Sequence, residues 1–480
     1  MKMCIDNKTG VSIIGTLITL IVLFISMLKN DVYICWLAIL LLFVIIVYYT
    51  VKESDAPIVF QGFLISFFVF ILGMYLSQII TGDLQSIFSD DIFLKESVYV
   101  YISLLTILIG YAFFKKKRVI FKKYNERSLK NYRRSTKKIG SYSKSIFFIC
   151  ILFSIAVNID VASMTIGNIY SFNRTVETRM PFIFQKIGQM SGMFFWIYLS
   201  TLPEKKQIKL PCYLFVFDAL LTLFTGSRNV FVRNAMSIVM YIFFRNKIRN
   251  ELKEGAWLSG NMKFLITLSM PVMVTFLGAL ANIRLGEDAQ YEGILAGVMY
   301  FLEQQGSSID VIGRGIYCKE NFLLPDSNVS YTFGPIINYF RNGLLGGWLG
   351  CTPLSTSSQD VALATYGNNL GATVTYLMAE SYYFIGGGFG TCYIAELVVD
   401  FGYVGVIIYN LFLGWLFNNI NYHTSETWWK NAIGLLIIRD VLFMPRDFAL
   451  AFVASLLSIT NLLPLLILLI LEKYMRYRVR

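Results

Sequence analysis

The sequence predicts an all-α, polytopic integral membrane protein, because composition, the length of the apolar runs and the placement of charge all point to this class. Of its 480 residues, 56% are hydrophobic and only 15% are charged. A water-soluble domain needs a polar outer layer that this composition does not supply. Many apolar runs reach or approach the roughly 20 residues that cross a bilayer as a helix. We therefore expect a single transmembrane domain over residues 1–480.

Apolar runs bounded by polar or basic flanks predict about twelve membrane-spanning helices. No small-residue cleavage site follows the first run, which leads directly into the second, so the first is predicted to be an uncleaved anchor. A further apolar stretch, 293–302, is too short to span and is typical of a re-entrant, interfacial or buried segment. The predicted spans are 11–28, 32–51, 58–80, 97–114, 146–164, 183–201, 210–224, 230–244, 264–282, 391–417, 431–444 and 448–471.

Lysine and arginine placement predicts the orientation of these spans. Segment 115–144 is strongly basic, and basic loops stay in the cytoplasm. Counting spans outward from it places both termini in the cytoplasm. The same count places segment 81–96 and a long loop, 283–390, outside, and both are net acidic.

The formal net charge of +12 does not indicate nucleic-acid binding, since the basic residues lie in short segments beside the apolar runs. The seven cysteines follow no metal-ligand or redox spacing. The chain has a single histidine, which does not suffice to build a histidine metal site, so we expect no metal and no cofactor.

Arginines occupy several positions that the predicted topology disfavours. A charged side chain at the centre of a helix costs about 2.5–3.5 kcal/mol on insertion scales. Guanidinium binds phosphate oxygens through paired hydrogen bonds that lysine does not reproduce, so the set predicts a phosphate-binding site. Each single member is equally typical of snorkelling to headgroups or pairing with a carboxylate, and Asp440 is a candidate partner for Arg439. The set is Arg174, Arg179, Arg228, Arg284, Arg439 and Arg446, with Arg341 of the long loop as a further candidate.

Carboxylates accompany these arginines on the same predicted side. Glu396 and Asp400 are four residues apart and share a helix face. Glu303 and Asp310 are seven apart and share a face if their segment is helical. A carboxylate in a dry site can act as a general base because burial raises its pKa. For Glu396 and Asp400 the favoured interpretation is ion pairing with the arginines.

Two glycine clusters in the long loop, 343–350 and 386–390, lack the strand–turn–helix context of a nucleotide site. They predict flexible or closely packed backbone. The aromatic and amide side chains around them suit a sugar-binding surface, and they equally suit an interfacial aromatic belt.

Four short motifs resemble those of the Wzy-type O-antigen and capsular polysaccharide polymerases. They are Thr225-Gly-Ser-Arg228, Glu303-Gln-Gln-Gly-Ser-Ser308, Gly388-Phe-Gly-Thr-Cys-Tyr-Ile-Ala-Glu396 and Asp400-Phe-Gly-Tyr-Val-Gly405. Their order and the surrounding topology fit that family over most of the chain.

The resemblance implies a metal-independent membrane glycosyltransferase at the outer face of the bacterial cytoplasmic membrane. Such enzymes transfer the growing glycan from undecaprenyl diphosphate to the non-reducing end of a lipid-linked repeat unit, and a flippase and a chain-length regulator are their usual partners. By similarity, Arg228 is expected to contact the pyrophosphate. Arg284 and Arg446 are candidates by position and chemistry, and Glu303 is the candidate base that activates the acceptor hydroxyl.

Two other functions remain open at this point. O-antigen ligases have a similar architecture but typically use a histidine in the large outer loop, whereas His423 falls in a predicted cytoplasmic loop. A lipid-linked oligosaccharide flippase would also bind pyrophosphate with arginines. A flippase is expected to show two related halves with short loops, and the long loop 283–390 does not fit that pattern.

Overall fold

The computed structural model consists of α-helices and connecting segments, and no strand occurs in the part of the chain that it describes. The structure describes residues 7–52, 58–82, 84, 87–114, 126–165, 176–224, 228–251, 257–261, 293–325, 330–354, 359–420 and 427–479. The predicted span 264–282 lies outside the described residues.

The helices before residue 252 are α1 (Asn7–Lys29), α2 (Val32–Lys52), α3 (Ile58–Phe67), α4 (Gly73–Thr81), α5 (Asp90–Phe113), α6 (Glu126–Thr165), α7 (Phe182–Gln189), α8 (Ser191–Ser200), α9 (Lys205–Phe224) and α10 (Arg228–Glu251). A π-helical turn, Phe68–Leu72, joins α3 to α4. Segment 293–390 contributes α11 (Gly293–Gly306), α12 (Asp310–Glu320), α13 (Gly334–Arg341), α14 (Leu344–Trp348), α15 (Val361–Tyr366), α16 (Leu370–Met378) and α17 (Glu380–Phe384). The C-terminal part contains α18 (Tyr393–Asn419), α19 (Trp428–Phe443), a 3₁₀ turn (Met444–Arg446), α20 (Ala451–Leu457) and α21 (Ile459–Val479).

Seven described helical segments are long and apolar enough to cross a membrane, and the bent pair α20–α21 raises the number to eight. The multi-pass prediction is therefore confirmed, while the count of about twelve stays a prediction. The sequence missed several interruptions: predicted span 183–201 is divided between α7 and α8, and predicted span 448–471 bends by 48° after α20. By contrast, α6 is longer than the predicted span 146–164. It begins at Glu126, within the predicted basic loop, because lysine and arginine are good helix formers.

Contacts between helix termini define two ends of the bundle. At one, Asn418 at the end of α18 donates to the Tyr111 carbonyl near the end of α5, at 2.6 Å. At the other, Thr165 donates to the carbonyl of Phe224, so α6 and α9 finish together, at 3.1 Å. We call the first the basic end, because the basic start of α6 lies on that side, and the second the loop end, because α11–α17 precede α18 there. α5 and α18 therefore run towards the basic end, and α6 and α9 run towards the loop end.

Helix α18 packs along α5 through glycine. A Cβ atom at Gly414 would overlap the backbone of Tyr111, and one at Gly110 would overlap the backbone of Leu411. Small residues allow such close backbone approach between membrane helices. Gly402, at φ +60°, breaks α18 after its first nine residues, which include Glu396 and Asp400.

The short apolar stretch 293–302 forms the first part of α11, which runs antiparallel along α4. Ser77 donates to the Met299 carbonyl at 3.3 Å, and a Cβ at Gly306 would overlap the backbone of Met74. Because α3, the π turn and α4 together form one candidate span, α11 lies beside the second half of that span. Its last residue is level with Met74, seven residues before the end of α4, a depth of about 10 Å at 1.5 Å per residue.

Candidate functional site

Three arginines and two aspartates gather where α10, α19 and the following 3₁₀ turn meet. This arginine cluster comprises Arg233, Arg439, Asp440, Arg446 and Asp447. Arg233 of α10 lies between both aspartates, with Nη2 2.6 Å from Asp447 Oδ2 and Nη1 3.5 Å from Asp440 Oδ1. Its guanidinium also covers the ring of Phe443, 5.1 Å from the ring centroid. The ion pairs of Arg233 therefore join α10 to α19 and to the turn that follows α19.

Arg439 is held by two neighbours. Its Nε and Nη2 lie 2.7 Å from Asp440 Oδ1, and its Nη2 also donates to Ser455 Oγ of α20 at 2.9 Å. The expectation that Asp440 is a partner of Arg439 is confirmed by this geometry. Asp440 is 1% exposed and therefore serves two arginines from a buried position.

Arg446 connects the cluster to α11. Its Nη1 donates to the Gln305 carbonyl at 2.6 Å, and its guanidinium lies 5.7 Å from the ring centroid of Phe70. Phe70 belongs to the π turn, an irregularity that is often found at functional sites. The cluster thus brings three guanidinium groups together with two carboxylates.

A second group, the carboxyl cluster, lies where α4, α5 and α12 meet and comprises Tyr75, Glu96, Asp310 and Arg314. The Tyr75 hydroxyl lies 3.1 Å from Glu96 Oε1 and 3.3 Å from Asp310 Oδ1. Burial raises the pKa of the Asp310 carboxyl, and the Arg314 guanidinium one turn along α12 acts in the opposite direction. The Arg314 guanidinium in turn lies flat on Phe389, 3.6 Å from the ring centroid.

Glu396 ties the segment after α19 to the start of α18. It is fully buried and accepts hydrogen bonds from Thr391 Oγ1 at 2.8 Å and from the Ala449 N–H at 2.9 Å. Ala449 follows Asp447 by two residues, so this carboxylate fixes the backbone beside the arginine cluster. Asp400 lies one turn on and accepts from Ser330 Oγ and from the N–H groups of Tyr331 and Thr332. Among the described residues, both carboxylates bind neutral donors and hold loop backbone, and the arginine pairing that the sequence favoured is not seen there.

Glu303 and Asp310 do not share one helix face. α11 ends at Gly306 and α12 begins at Asp310, so a break in the helix separates them. Glu303 is exposed on α11, two residues before the carbonyl that Arg446 binds, whereas Asp310 belongs to the carboxyl cluster. The two predicted carboxylates therefore lie in different environments.

The remaining predicted arginines are distributed as follows. Arg174 and Arg284 lie outside the described residues, and Arg228 is the first residue of α10, with its side chain outside the described part. Arg179 contributes its backbone N–H to Asp160 at 2.8 Å. Arg341 donates to the carbonyls of Thr352 and Tyr366, both at 3.0 Å, and so braces the loop around α13.

Sequence reasoning missed Arg233, Arg314, Tyr75 and Glu96. Arg233 carried a usable signal, because it falls inside the predicted span 230–244, where a charge is costly. The contact between Tyr75 and Asp310 joins residues 235 positions apart, and no local pattern could indicate it. Among the described residues, no group of three or more His, Cys, Asp or Glu side chains is placed to hold a metal ion.

Fold and site together define a multi-pass membrane protein that gathers arginines and carboxylates below one end of a helical bundle. A family model for the O-antigen polysaccharide polymerase Wzy matches residues 11–478, and the chain belongs to this family. Members of this family act on lipid-linked repeat units, which makes the protein a membrane polymerase of O-antigen units. No curated protein and no solved structure matches the chain significantly.

Proposed function

We propose that this protein transfers a growing glycan from undecaprenyl diphosphate to the non-reducing end of a lipid-linked repeat unit at the outer face of the bacterial cytoplasmic membrane. The observation that carries the proposal is the arginine cluster, which places three guanidinium groups at membrane depth. Guanidinium binds phosphate oxygens through paired hydrogen bonds, so a lipid diphosphate is the anion that we propose for this cluster.

The reaction forms one bond and breaks one. The acceptor hydroxyl oxygen attacks the anomeric carbon of the donor glycan, the bond from that carbon to the diphosphate oxygen breaks, and a carboxylate takes the hydroxyl proton. Negative charge develops on the leaving diphosphate, where fixed guanidinium groups stabilise it. Asp440 and Asp447 hold Arg233 and Arg439 in place before substrate arrives, so little reorganisation is needed during the reaction. Because guanidinium supplies the charge, the proposed mechanism is metal-independent.

Within the cluster, Arg446 is the first candidate for contact with the diphosphate. It lies against α11, where its Nη1 donates to the Gln305 carbonyl two residues from Glu303, a candidate base. Arg228 begins α10 five residues before Arg233. Arg174 and Arg284, which the sequence predicts on the same side of the membrane, extend the proposed binding set.

Two carboxylates are candidates for the base. Glu303 is exposed and lies next to the Arg446 contact, which gives it access to substrate. Asp310 is more deeply placed, and its raised pKa brings it closer to the proton affinity that an efficient general base needs. The two are separable by the pH dependence of their amide variants, as described below.

The proposed topology retains about twelve spans, with both termini and the basic segment in the cytoplasm. The antiparallel packing of α11 beside α4 supports a re-entrant helix that brings Gln305 to membrane depth. A flippase that delivers repeat units to the outer leaflet and a chain-length regulator are the expected partners.

The test is a gel of surface polysaccharide from cells that carry Arg446→Ala in place of the wild-type chain. We expect the long ladder to be lost while a single repeat unit still reaches its final acceptor. Arg134→Ala, an exposed arginine near the basic end, is the matched control and should leave the ladder intact. Normal polymer that fails to reach its acceptor would instead indicate a ligase, and repeat units confined to the inner leaflet would indicate a flippase.

A further inference from the structure

Three side chains from segment 293–390 form a shelf beside the carboxyl cluster. The ring of Phe389 has the Arg314 guanidinium on it, 3.6 Å from the centroid, and stacks with Tyr382 at 6.0 Å between centroids and 29° between planes. Tyr382 is 41% exposed. We call Arg314, Tyr382 and Phe389 the aromatic shelf. Its exposed ring is that of Tyr382, and its cation, Arg314, lies on the ring of Phe389.

Arg314 is only partly buried. Within the described part of the chain, its Nε is buried without a hydrogen-bond partner, and its Nη1 contacts the Met378 sulfur, a weak acceptor, at 4.0 Å. Because Nε is itself buried, a ligand hydroxyl would accept from the terminal nitrogens of this guanidinium.

Several contacts hold the shelf in position. A Cβ at Gly387 would overlap the Tyr382 ring, so only glycine permits this approach. The Gly387 N–H donates to the Tyr382 carbonyl, and Gln359 donates to the Gly387 carbonyl, both at 2.8 Å. The Phe389 N–H donates to Thr375 Oγ1 at 3.0 Å. Within the glycine cluster 386–390, Gly387 is therefore closely packed backbone, whereas a Cβ at Gly388 or Gly390 would meet no neighbouring atom.

An exposed ring stacked on a second ring that carries a partly buried guanidinium has the chemistry of a sugar-binding subsite. The C–H face of a pyranose packs on the ring, while its hydroxyl oxygens accept from the guanidinium. Asp310 and Arg314 are one turn apart on α12, so a sugar on the shelf would lie next to a candidate base. The diphosphate end of the donor, by contrast, is assigned to the arginine cluster.

We propose that Arg314, Tyr382 and Phe389 form the subsite that holds the non-reducing end of the acceptor repeat unit. The inference rests on the proposed polymerase function and assigns the acceptor side of that same site.

The experiment measures binding of the lipid-free repeat-unit oligosaccharide, released from the host polysaccharide, to the full-length protein in nanodiscs. Tyr382→Ala should weaken this binding about three- to tenfold, the amount expected for one lost ring contact. Tyr382→Phe keeps the ring and should bind nearly as well as wild type. Gly387→Ala should resemble Tyr382→Ala, because the new methyl group displaces the ring. Arg314→Lys keeps the charge but loses the flat stacking on Phe389, and should also weaken binding.

Phe384→Ala is the matched control. Phe384 is 48% exposed and lies on α17, but its ring contacts Tyr376 and Tyr383 rather than Phe389. It should bind the oligosaccharide with unchanged affinity. Equal affinity of wild type, Tyr382→Ala and Arg314→Lys would overturn the subsite, as would equal weakening in Phe384→Ala.

Arg446→Ala separates this inference from the proposed function. It should lose polymer while it retains oligosaccharide binding, because the probe carries no diphosphate. If polymer formation requires Arg446 but substitutions in the aromatic shelf leave oligosaccharide affinity unchanged, only the subsite is wrong. If Arg446→Ala leaves polymer intact, the proposed role of the arginine cluster is wrong whatever the shelf binds.

Discussion

The loop end and the basic end of the bundle both bury an arginine, but they accommodate its charge differently. Near the loop end, Arg233 is shared between Asp440 and Asp447 on separate segments. At the basic end, Arg245 is 1% exposed and enclosed by rings: its guanidinium lies 4.5 Å from the Trp257 centroid and donates to the Tyr241 hydroxyl at 3.0 Å. Its Nε and Nη2 have no hydrogen-bond partner among the residues that the structure describes.

The difference indicates what each end is for. Paired carboxylates fix the direction of a guanidinium and leave its positive field available to a bound anion, which suits a site that must be ordered before substrate arrives. Aromatic rings hold the cation mainly by packing and do not fix a donor geometry. We therefore expect changes near the loop end to affect the reaction, and changes at the basic end to affect stability alone.

The largest expected effect comes from the two candidate bases. Removal of a general base lowers the rate by about 10²–10⁴-fold, so either Asp310→Asn or Glu303→Gln should show a loss of that size in polymerisation by purified protein. The other variant should remain active.

The pH dependence identifies which carboxylate is the base. The base works deprotonated, so activity rises with pH through its folded-state pKa. Burial raises the pKa of Asp310, which moves that acidic limb above the pH at which an ordinary aspartate titrates. If Asp310 is the base, the limb should lie at this elevated pH in wild type and in Glu303→Gln. A limb that persists unchanged in active Asp310→Asn would contradict this assignment.

The next effect concerns the arrangement of the arginine cluster. Arg233→Met leaves Asp440, which is 1% exposed, and Asp447 without their shared cation. Breaking a buried pair costs about 3–5 kcal/mol, so thermal unfolding in detergent should shift to markedly lower temperature and polymer should be lost.

A double-mutant cycle provides the control for Arg233. Adding Asp447→Asn to Arg233→Met removes one of the stranded charges and should restore part of the stability without restoring polymer. Strictly additive losses would show that Arg233 and Asp447 do not interact as the structure places them.

Part of the fold and part of the candidate site could be predicted from the sequence alone. Spans were predictable because bilayer thickness sets the length of an apolar run, and α1, α2 and α18 lie close to where hydropathy placed them. Arg439 and Arg446 were predictable because a charge at membrane depth is costly and therefore informative. Both belong to the cluster that the structure assembles.

Other features depend on contacts between distant segments, and no local sequence pattern predicts them. The π turn that places Phe70 against Arg446 lies in an apolar run whose sequence predicts a regular helix. The carboxyl cluster joins α4, α5 and α12 through the Tyr75 hydroxyl. The break between α11 and α12 separated two carboxylates that an uninterrupted helix would have aligned.

A smaller effect is expected from helix packing towards the basic end. Gly414→Ala would push α18 away from α5, because the added methyl group overlaps the Tyr111 backbone. Overpacking of this kind costs about 1–3 kcal/mol, which should lower the unfolding temperature and the amount of protein in the membrane. Polymer made per folded molecule should stay near the wild-type value. A loss of specific activity equal to that of Arg233→Met would show that the two ends are not separate in function.

The smallest effect tests the basic end directly. Arg245→Met replaces a buried, incompletely bonded cation with an apolar side chain of similar length, so it removes two unsatisfied donors and keeps the packing on Trp257. Such replacements of buried charge are often neutral or stabilising. We expect an unfolding temperature equal to or above that of wild type, and a normal polysaccharide ladder. Since Arg233→Met makes the same chemical change and is expected to abolish polymer, the pair isolates the effect of location. A ladder lost in Arg245→Met at normal protein levels would mean that the basic end, too, takes part in the reaction.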